Sequence, residues 1–289
     1  MNHLVGIIFI AISAIAFGAL PIFARFAYAD GMDALTIIFL RFSLASVVML
    51  TLLYRRGEKL PRGSVLLKLI GMGALGYVGQ SFAYLTALKY ATAGLVALLF
   101  YLYPMLVALL AAIFLKDTIS RIKGLALILA LLGTALTVGP VHGQMQGVLF
   151  AFIAALTYST YIIVGSKVMQ QASVLQSSAV IFISAGISAG TLAMINGPKF
   201  PATSMGWGAM IALAIVATII AVLAFLDGLR RIGPTNAAML STLEPVVTVF
   251  LAYWCLQETL TPTSLLGGGL ILIAVLVLTH GELRRPKRI

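Results

Sequence analysis

Long apolar runs follow one another along the whole chain, separated by short segments rich in polar residues, glycine or proline. Examples of these separators are 55–63, 139–144 and 196–201, whose residues are typical of turns. About 20 apolar residues are needed for one helix to cross a hydrocarbon core of roughly 30 Å. We therefore predict an all-α integral membrane protein with ten transmembrane helices, at residues 4–28, 33–54, 64–88, 93–115, 121–139, 146–167, 174–194, 205–229, 236–256 and 262–280.

Composition argues against the alternative of one soluble domain. The 289 residues are 61% hydrophobic and only 9% charged, whereas a soluble protein carries about 25% charged residues. The net charge of +11 does not indicate nucleic acid, because the basic residues form short clusters between apolar runs. The single cysteine, Cys255, excludes an intramolecular disulfide and a multi-cysteine metal site.

The distribution of Lys and Arg predicts the orientation. With a cytoplasmic N-terminus, the inner loops and the C-terminal tail hold 15 of the 19 basic residues, and the outer loops hold only Lys89 and Lys199. Basic residues concentrate in cytoplasmic loops. We therefore expect a multi-pass protein of the inner (cytoplasmic) membrane with both termini in the cytoplasm.

A shift of 141 residues relates the two halves of the chain. Residues 99–117 align with 240–258 without a gap, so that Pro104 corresponds to Pro245 and Tyr103 to Glu244. Apolar helices can resemble one another by composition alone, but the matched prolines and the matched acid after each helix argue against that explanation. We predict two five-helix domains, residues 1–140 and 141–289. Because five is odd, the second is inverted in the membrane, an arrangement found in secondary transporters.

Several motifs make the chain resemble the drug/metabolite transporter superfamily, and its EamA-type members in particular. They are LRFSLA at 40–45, AYLTALKYATAGLVALL at 83–99, the YP pair at 103–104 and LEPVV at 243–247. The resemblance implies ten helices in two five-helix repeats and export of metabolites or drugs. The aromatic residues of the third and fourth spans are most similar to those of amino-acid exporters, including the exporter of aromatic amino acids. Phe17–Gly18 departs from the tryptophan–glycine pair of many relatives.

Glu244 and Tyr103 occupy corresponding positions, each directly before a proline. Glu244 lies roughly 12 Å into the ninth span at about 1.5 Å per residue. An intramembrane carboxylate is costly and usually functional, although a protonated packing residue or a partner of Arg41 are alternatives. Arg41 itself is either a ligand for a carboxylate or a packing residue. Because proline interrupts the helical hydrogen bonds, we predict hinges at Pro104 and Pro245.

The third span carries a polar stripe at Tyr77, Gln80, Ser81 and Tyr84. The spacing i, i+3, i+4, i+7 places these residues on one helical face. Polar groups within a membrane must face protein or water, which predicts a cavity wall; hydrogen bonding between helices is the alternative. The other predicted substrate-binding residues, besides Glu244, are tyrosines of the fourth and sixth spans: Tyr101, Tyr103, Tyr158 and Tyr161.

These features predict a secondary transporter that exports small metabolites, foremost amino acids, by alternating access. An enzyme is not expected, because the chain contains no phosphate-binding glycine-rich motif, and neither a cofactor nor a metal is expected. The expected partners are a small-molecule substrate and the lipid bilayer, without nucleic acid. Two alternatives stay open: efflux of drugs or cationic compounds, with Glu244 as the counter-charge, and a membrane scaffold or sensor that transports nothing.

Overall fold

The structure is a computed structural model that describes residues 2–90, 99–116, 121–138, 145–168, 170–256 and 262–283. Within these ranges the chain is helical and forms no strand. Seven helices are long and apolar enough to cross a membrane: His3–Ala29, Ala34–Arg55, Gly63–Ala87, Met145–Val168, Val174–Asn196, Ser204–Ile232 and Pro234–Cys255.

These seven helices coincide with seven of the ten predicted spans. The other three predicted spans, 93–115, 121–139 and 262–280, each include residues or side chains outside the described part of the chain. Helices are nevertheless described within all three of them. The all-α membrane class is therefore confirmed, while the total of ten spans stays a prediction.

We number the α-helices in chain order. They are α1 (Asn2–Gly18), α2 (Leu20–Ala29), α3 (Ala34–Arg55), α4 (Gly63–Gly71), α5 (Val78–Tyr90), α6 (Tyr103–Leu115), α7 (Arg121–Val138), α8 (Met145–Val168), α9 (Val174–Asn196), α10 (Ser204–Ala214), α11 (Ala221–Ile232), α12 (Pro234–Leu240), α13 (Glu244–Leu256) and α14 (Pro262–Leu283).

Two of the long helices contain a wide, π-helical turn, at Met72–Tyr77 between α4 and α5 and at Ile215–Ile220 between α10 and α11. π-Helical turns are rare, occur mostly as single turns within α-helices and are frequent at functional sites. Here they occupy similar places in the two halves of the chain, because each lies near the middle of the third predicted span of its half.

The packing of the helices is symmetric with respect to the two halves. The most extensive contacts join α7 to α14, α3 to α9, α1 to α11 and α5 to α8. We can replace each helix by the helix at the corresponding place in the other half of the chain. The pair α7 and α14 and the pair α3 and α9 then stay the same, and the pair α1 and α11 becomes the pair α8 and α5. Two halves related by a two-fold operation would produce this pattern.

Asp30 and Asp33 connect the start of α3 to the loop before α10. Asp30 Oδ2 accepts hydrogen bonds from the backbone N–H groups of Ala202, at 2.7 Å, and Thr203, at 3.2 Å, and Asp30 Oδ1 accepts one from the Thr203 hydroxyl at 2.7 Å. Asp33 caps α3 and also accepts from the backbone N–H of Lys199. We call these contacts of Asp30 and Asp33 the first clamp. They lower the pKa of Asp30, chiefly through the hydrogen bond from the Thr203 hydroxyl and then through that from the backbone N–H of Thr203.

A second clamp joins the start of α9 to the loop before α4. Ser173 caps α9 together with Gln176 in a reciprocal capping box, which satisfies free backbone donors of the first turn. The Ser173 hydroxyl also donates to the Glu58 carboxylate at 2.6 Å, and the Gln176 amide donates to the Lys59 carbonyl at 2.8 Å. The two clamps fasten the tightly packed pair α3 and α9 at both ends.

Candidate functional site

The fourth predicted span of each half is interrupted at the same relative position. Helix α6 begins at Tyr103 after a turn, and α13 begins at Glu244 after the 3₁₀ turn Ser241–Leu243. These two starting residues are the pair that the 141-residue shift aligns. The side chains of the predicted hinge residues Pro104 and Pro245 lie outside the described part of the chain.

Aromatic rings form a continuous chain beside these interruptions. From Tyr77 the rings continue to Tyr161, at a centroid distance of 5.4 Å, and then to Tyr158 at 6.0 Å. Tyr158 contacts Tyr103 at 4.9 Å with the rings nearly perpendicular, a geometry that aromatic pairs prefer. Helices α6 and α8 and the first π-helical turn are thereby joined by predicted site residues.

Phe100 extends this chain to the remaining tyrosines. Its ring lies 5.4 Å from Tyr103, 6.0 Å from Tyr101 and 5.1 Å from Tyr84. Tyr101 and Tyr103, which an ideal helix would point in nearly opposite directions, have ring centroids only 6.4 Å apart. The turn before α6 brings both rings to the same side, so all six predicted tyrosines belong to one cluster.

Glu244 lies beside this cluster. Its charge is within electrostatic reach of Tyr84, Tyr101, Tyr103 and Tyr158, and also of Tyr77. The carboxyl group makes no hydrogen bond or ion pair with any residue that the structure describes. Because carboxyl groups within membrane-spanning helices ordinarily have a partner, and Glu244 lies in the candidate span Pro234–Cys255, this carboxyl group is available for a partner that is not part of the described chain.

Exposure divides the predicted site residues into two layers. Gln80, Tyr84, Tyr101 and Glu244 are partly exposed. Ser81 is buried and donates a hydrogen bond to the Gln80 side chain at 3.2 Å. Behind the partly exposed layer, a buried aromatic layer consists of Tyr77, Tyr103, Tyr158 and Tyr161.

Two hydroxyl groups of the buried layer retain hydrogen-bonding capacity. Tyr103 and Tyr161 bury their hydroxyl oxygens without a well-formed hydrogen bond to the described residues, although Tyr103 lies beside Ser241. Buried polar side-chain atoms usually have a partner. These hydroxyls are therefore able to bind a polar group that reaches the cluster.

Arg41 binds to both π-helical turns and not to Glu244. Its Nε donates to Thr218 Oγ1 at 2.5 Å, and its Nη2 donates to the Ala217 carbonyl at 3.0 Å and to the Tyr77 hydroxyl at 3.2 Å. The guanidinium also lies 5.1 Å from the centre of the Phe42 ring. No ion pair joins Arg41 to Glu244 in the described structure, so Arg41 connects the two halves of the protein.

The sequence interpretation missed several residues that build this site. Gly18 ends α1 where a β-carbon would lie 2.7 Å from Val247 Cβ and 3.0 Å from the Glu244 carbonyl oxygen. Thr248 donates to the Gly18 carbonyl at 2.9 Å. Nothing in the sequence identifies Phe100 or Gly18 as a site residue, except that each lies close to a motif. Thr218 could have been found as a polar residue within an apolar run, which has to find a partner in protein.

No group of three or more His, Cys, Asp or Glu side chains able to hold a metal occurs among the described residues. The cluster offers one carboxyl group, hydroxyl groups and aromatic surface, which are able to contact a ligand through charge, hydrogen bonds and ring faces. Nothing in this set combines a nucleophile with an adjacent general base, which covalent catalysis would require.

Comparison with known proteins connects this geometry to a family. The model of the EamA-like transporter family matches the chain twice, at residues 4–139 and 145–280. A protein of Archaeoglobus fulgidus named as an uncharacterized transporter is 25% identical over 268 residues, which are 93% of this chain and 94% of that protein. The uncharacterized inner membrane transporter YedA of Escherichia coli is 27% identical over 253 residues, 86% of this chain and 82% of its own length.

A solved structure supports the fold. One crystal structure superposes with a TM-score of 0.84 and covers 98% of this chain and 99% of its own. Its sequence is 21% identical, so the likeness concerns the fold alone.

Proposed function

Since the chain belongs to the EamA-like transporter family, we propose that it is a secondary transporter that exports amino acids or similar small metabolites by alternating access. The proposal places it in the cytoplasmic membrane, as the name of YedA states for that relative. It also includes ten spans in two inverted repeats, 1–140 and 141–289, with both termini in the cytoplasm.

The observation that carries the proposal is the unpaired carboxyl group of Glu244 beside an aromatic cluster. A carboxylate attracts an ammonium group, and aromatic faces attract both cations and apolar side chains. The free hydroxyls of Tyr103 and Tyr161 add donors for a carboxylate. An amino acid carries all three features, which favours this class of substrate.

The symmetric packing supports alternating access. The interrupted helices at Tyr103 and Glu244 come from opposite halves, and secondary transporters form their binding sites from discontinuous helices between repeats. The pair α3 and α9, clamped at both ends, is a suitable fixed frame. Movement of the interrupted helices against this frame would open the cluster to one side and then to the other.

Transport by purified protein in proteoliposomes tests the proposal. We expect counterflow of labelled amino acids that exceeds that of empty vesicles and is competed by other members of an amino-acid panel. A panel without any signal would exclude amino acids as substrates. Reporter fusions after residues 144 and 289 test the inversion, because five spans in each half place these two sites on opposite sides of the membrane.

Efflux of cationic compounds is the second candidate, and the same unpaired carboxyl group of Glu244 favours it. A panel of lipophilic cations in the same vesicles separates the two substrates: competition by cations without competition by amino acids would favour the second candidate. A scaffold would transport neither. Cysteines introduced at Tyr84 and Tyr103 would then both stay inaccessible to water-soluble thiol reagents, whereas alternating access exposes them.

A further inference from the structure

An apolar groove lies between α9 and the helix formed by α4 and the first π-helical turn. Its volume is about 300 Å³. One wall consists of Leu66, Ile70 and Ala74, which recur every four residues and so share a helical face. The opposite wall belongs to residues 180–188 of α9, where Ile187 is 66% exposed. The groove therefore faces the lipid and lies apart from the aromatic cluster.

The only polar side chains of the groove are already satisfied. The hydroxyls of Ser184 and Ser188 donate to backbone carbonyls, at 2.8 Å to Val180 and at 3.2 Å to Ala74. The lining thus offers no free hydrogen-bonding side chain, and it suits a hydrocarbon chain better than a polar ligand.

The length of the groove matches one leaflet of a bilayer. It extends from Leu60, in the loop before α4, to Ala74 in the π-helical turn. From the start of α4 at Gly63 to Ala74 the rise is roughly 16 Å at about 1.5 Å per residue. Half of a hydrocarbon core of about 30 Å is nearly the same distance.

Positive charge surrounds the end of the groove that meets the interface. Leu60 lies between Lys59 and Arg62, which are both exposed. Arg62 directly precedes α4, the helix that carries Leu66 and Ile70 of the groove wall. Neither basic side chain forms an ion pair with a described residue, and Glu58, the acid of the same loop, accepts a hydrogen bond from Ser173.

We propose that the groove binds one acyl chain of an anionic phospholipid, with Lys59 and Arg62 holding its phosphate headgroup. Basic pockets between transmembrane helices recognise anionic lipids in this way. The lipid would come from the leaflet that borders the loop 55–63. It would contact the π-helical turn that also carries Tyr77, and the inference does not depend on which substrate is transported.

Native mass spectrometry of the purified full chain, mixed with phosphatidylglycerol and phosphatidylcholine of identical acyl chains, tests this inference. We expect the wild-type protein to retain the anionic lipid at least about tenfold more, since one charge-assisted contact contributes about 1.5 kcal/mol or more. The double variant Lys59→Gln/Arg62→Gln should lose this preference. Arg230→Gln, a change at another exposed basic position, is the control and should keep it.

A second pair of variants tests the groove itself. Ile187→Trp should fill it and reduce the retention of both lipids, whereas Ile195→Trp, at a 76% exposed position of the same helix outside the groove, should not. Equal retention of the two lipids by the wild-type protein would overturn the proposal. An unchanged preference in the double variant would do the same. The double variant alters only exposed side chains, so this outcome can be measured even if Ile187→Trp does not fold.

Discussion

The two halves of the protein share a frame but differ in where they carry charge. At the 141-residue shift, Arg41 of the first half corresponds to Phe182 of the second, and Glu244 of the second corresponds to Tyr103 of the first. Each half thus supplies one charged side chain at a position where the other has an aromatic ring. The repeated frame is thus kept by packing, whereas the charges of the candidate site and of the contact between the halves are departures from the repeat.

Contacts at the helix interruptions show the same combination of symmetry and difference. Gly18 of α1 approaches the carbonyl of Glu244, and Ser159 of α8, which lies 141 residues later, donates a hydrogen bond to the carbonyl of Tyr103 at 3.2 Å. The contact between the first span of one half and the fourth of the other is therefore repeated. The contact itself changes from close backbone packing at Gly18 to a hydrogen bond from Ser159. The two helices that make it also differ, because the first span is interrupted at Gly18 whereas α8 is continuous.

Removal of the Arg41 guanidinium has the largest expected effect. Arg41→Met should lower the free energy of unfolding by about 3 kcal/mol, because it leaves the Tyr77 hydroxyl and the Ala217 carbonyl without their donor. The corresponding change in the second half, Phe182→Met, exchanges one apolar side chain for another and should cost less than about 1.5 kcal/mol. Unfolding in detergent micelles measures both. Equal losses would show that Arg41 does not bind the two halves together.

Removal of the Glu244 charge should mainly affect transport. Glu244→Gln keeps the shape of the side chain, and we expect transport of substrates with an ammonium group to fall by roughly 10- to 100-fold, the worth of a charged hydrogen bond. Tyr103→Phe, at the corresponding position, should cost less than about tenfold. Asp227→Asn, which removes an acid paired with Arg231, is the control.

The pH profile of the Glu244→Gln variant separates two roles of the carboxyl group. Loss of binding restricted to amines would identify a ligand. Loss of pH dependence with intact binding would instead identify a proton carrier and would contradict the ligand role. Normal transport at every pH would make Glu244 a packing residue.

Substitutions at the repeated contact should have intermediate effects. A methyl group at Gly18 would overlap Val247, and overpacking of this kind costs typically 1–3 kcal/mol. Ser159→Ala removes one hydroxyl, which donates to the Tyr103 carbonyl and also to the Ala155 carbonyl of its own helix, and should cost about 1 kcal/mol. Gly124→Ala adds a methyl group with no atom within 4 Å, so it should be neutral or slightly stabilising. If Gly18→Ala lowered the free energy of unfolding no more than Gly124→Ala, the close approach of α1 to Glu244 would not be required for stability.

The two clamps should differ in their response to acid, and this is the smallest effect that we expect. Hydrogen bonds from Thr203 and Ala202 lower the pKa of Asp30 below its ordinary value of 3.8. A lowered pKa stabilises the folded protein above the ordinary value, and this contribution is lost as the pH falls through the folded value. Asp30→Asn should therefore lower the melting temperature at pH 7 but no longer differ from the wild type well below pH 3.8.

Gln176→Ala in the second clamp provides the contrast. The Gln176 side chain does not titrate, so the loss of its hydrogen bond to the Lys59 carbonyl should lower the melting temperature equally at all pH values. Melting curves from pH 7 down to a pH below the lowered pKa of Asp30 test both variants. If the difference in melting temperature between Asp30→Asn and the wild type persisted unchanged into acid, the charged carboxylate of Asp30 would not be what stabilises the first clamp.

The sequence alone determined the membrane class, seven spans to within a few residues and the EamA-type resemblance that the comparisons confirm. These properties follow from hydrophobic runs of a set length, because a bilayer requires about 20 apolar residues from each helix. The interruption of a helix near Tyr103 and Glu244 was also predictable, since proline removes a backbone donor. The role of Glu244 and of the six tyrosines in binding stays a prediction.

Only the tertiary structure decided what each polar residue contacts. From the sequence, Arg41 could be a substrate ligand, a partner of Glu244 or a packing residue. In the fold, its guanidinium donates hydrogen bonds to Thr218, Ala217 and Tyr77. Likewise, helical periodicity could not bring Tyr101 and Tyr103 to one side, because the turn before α6 departs from a regular helix. Hydrophobicity is a property of each segment, whereas a hydrogen bond or a ring contact depends on residues far apart in the chain, and only their packing brings them together.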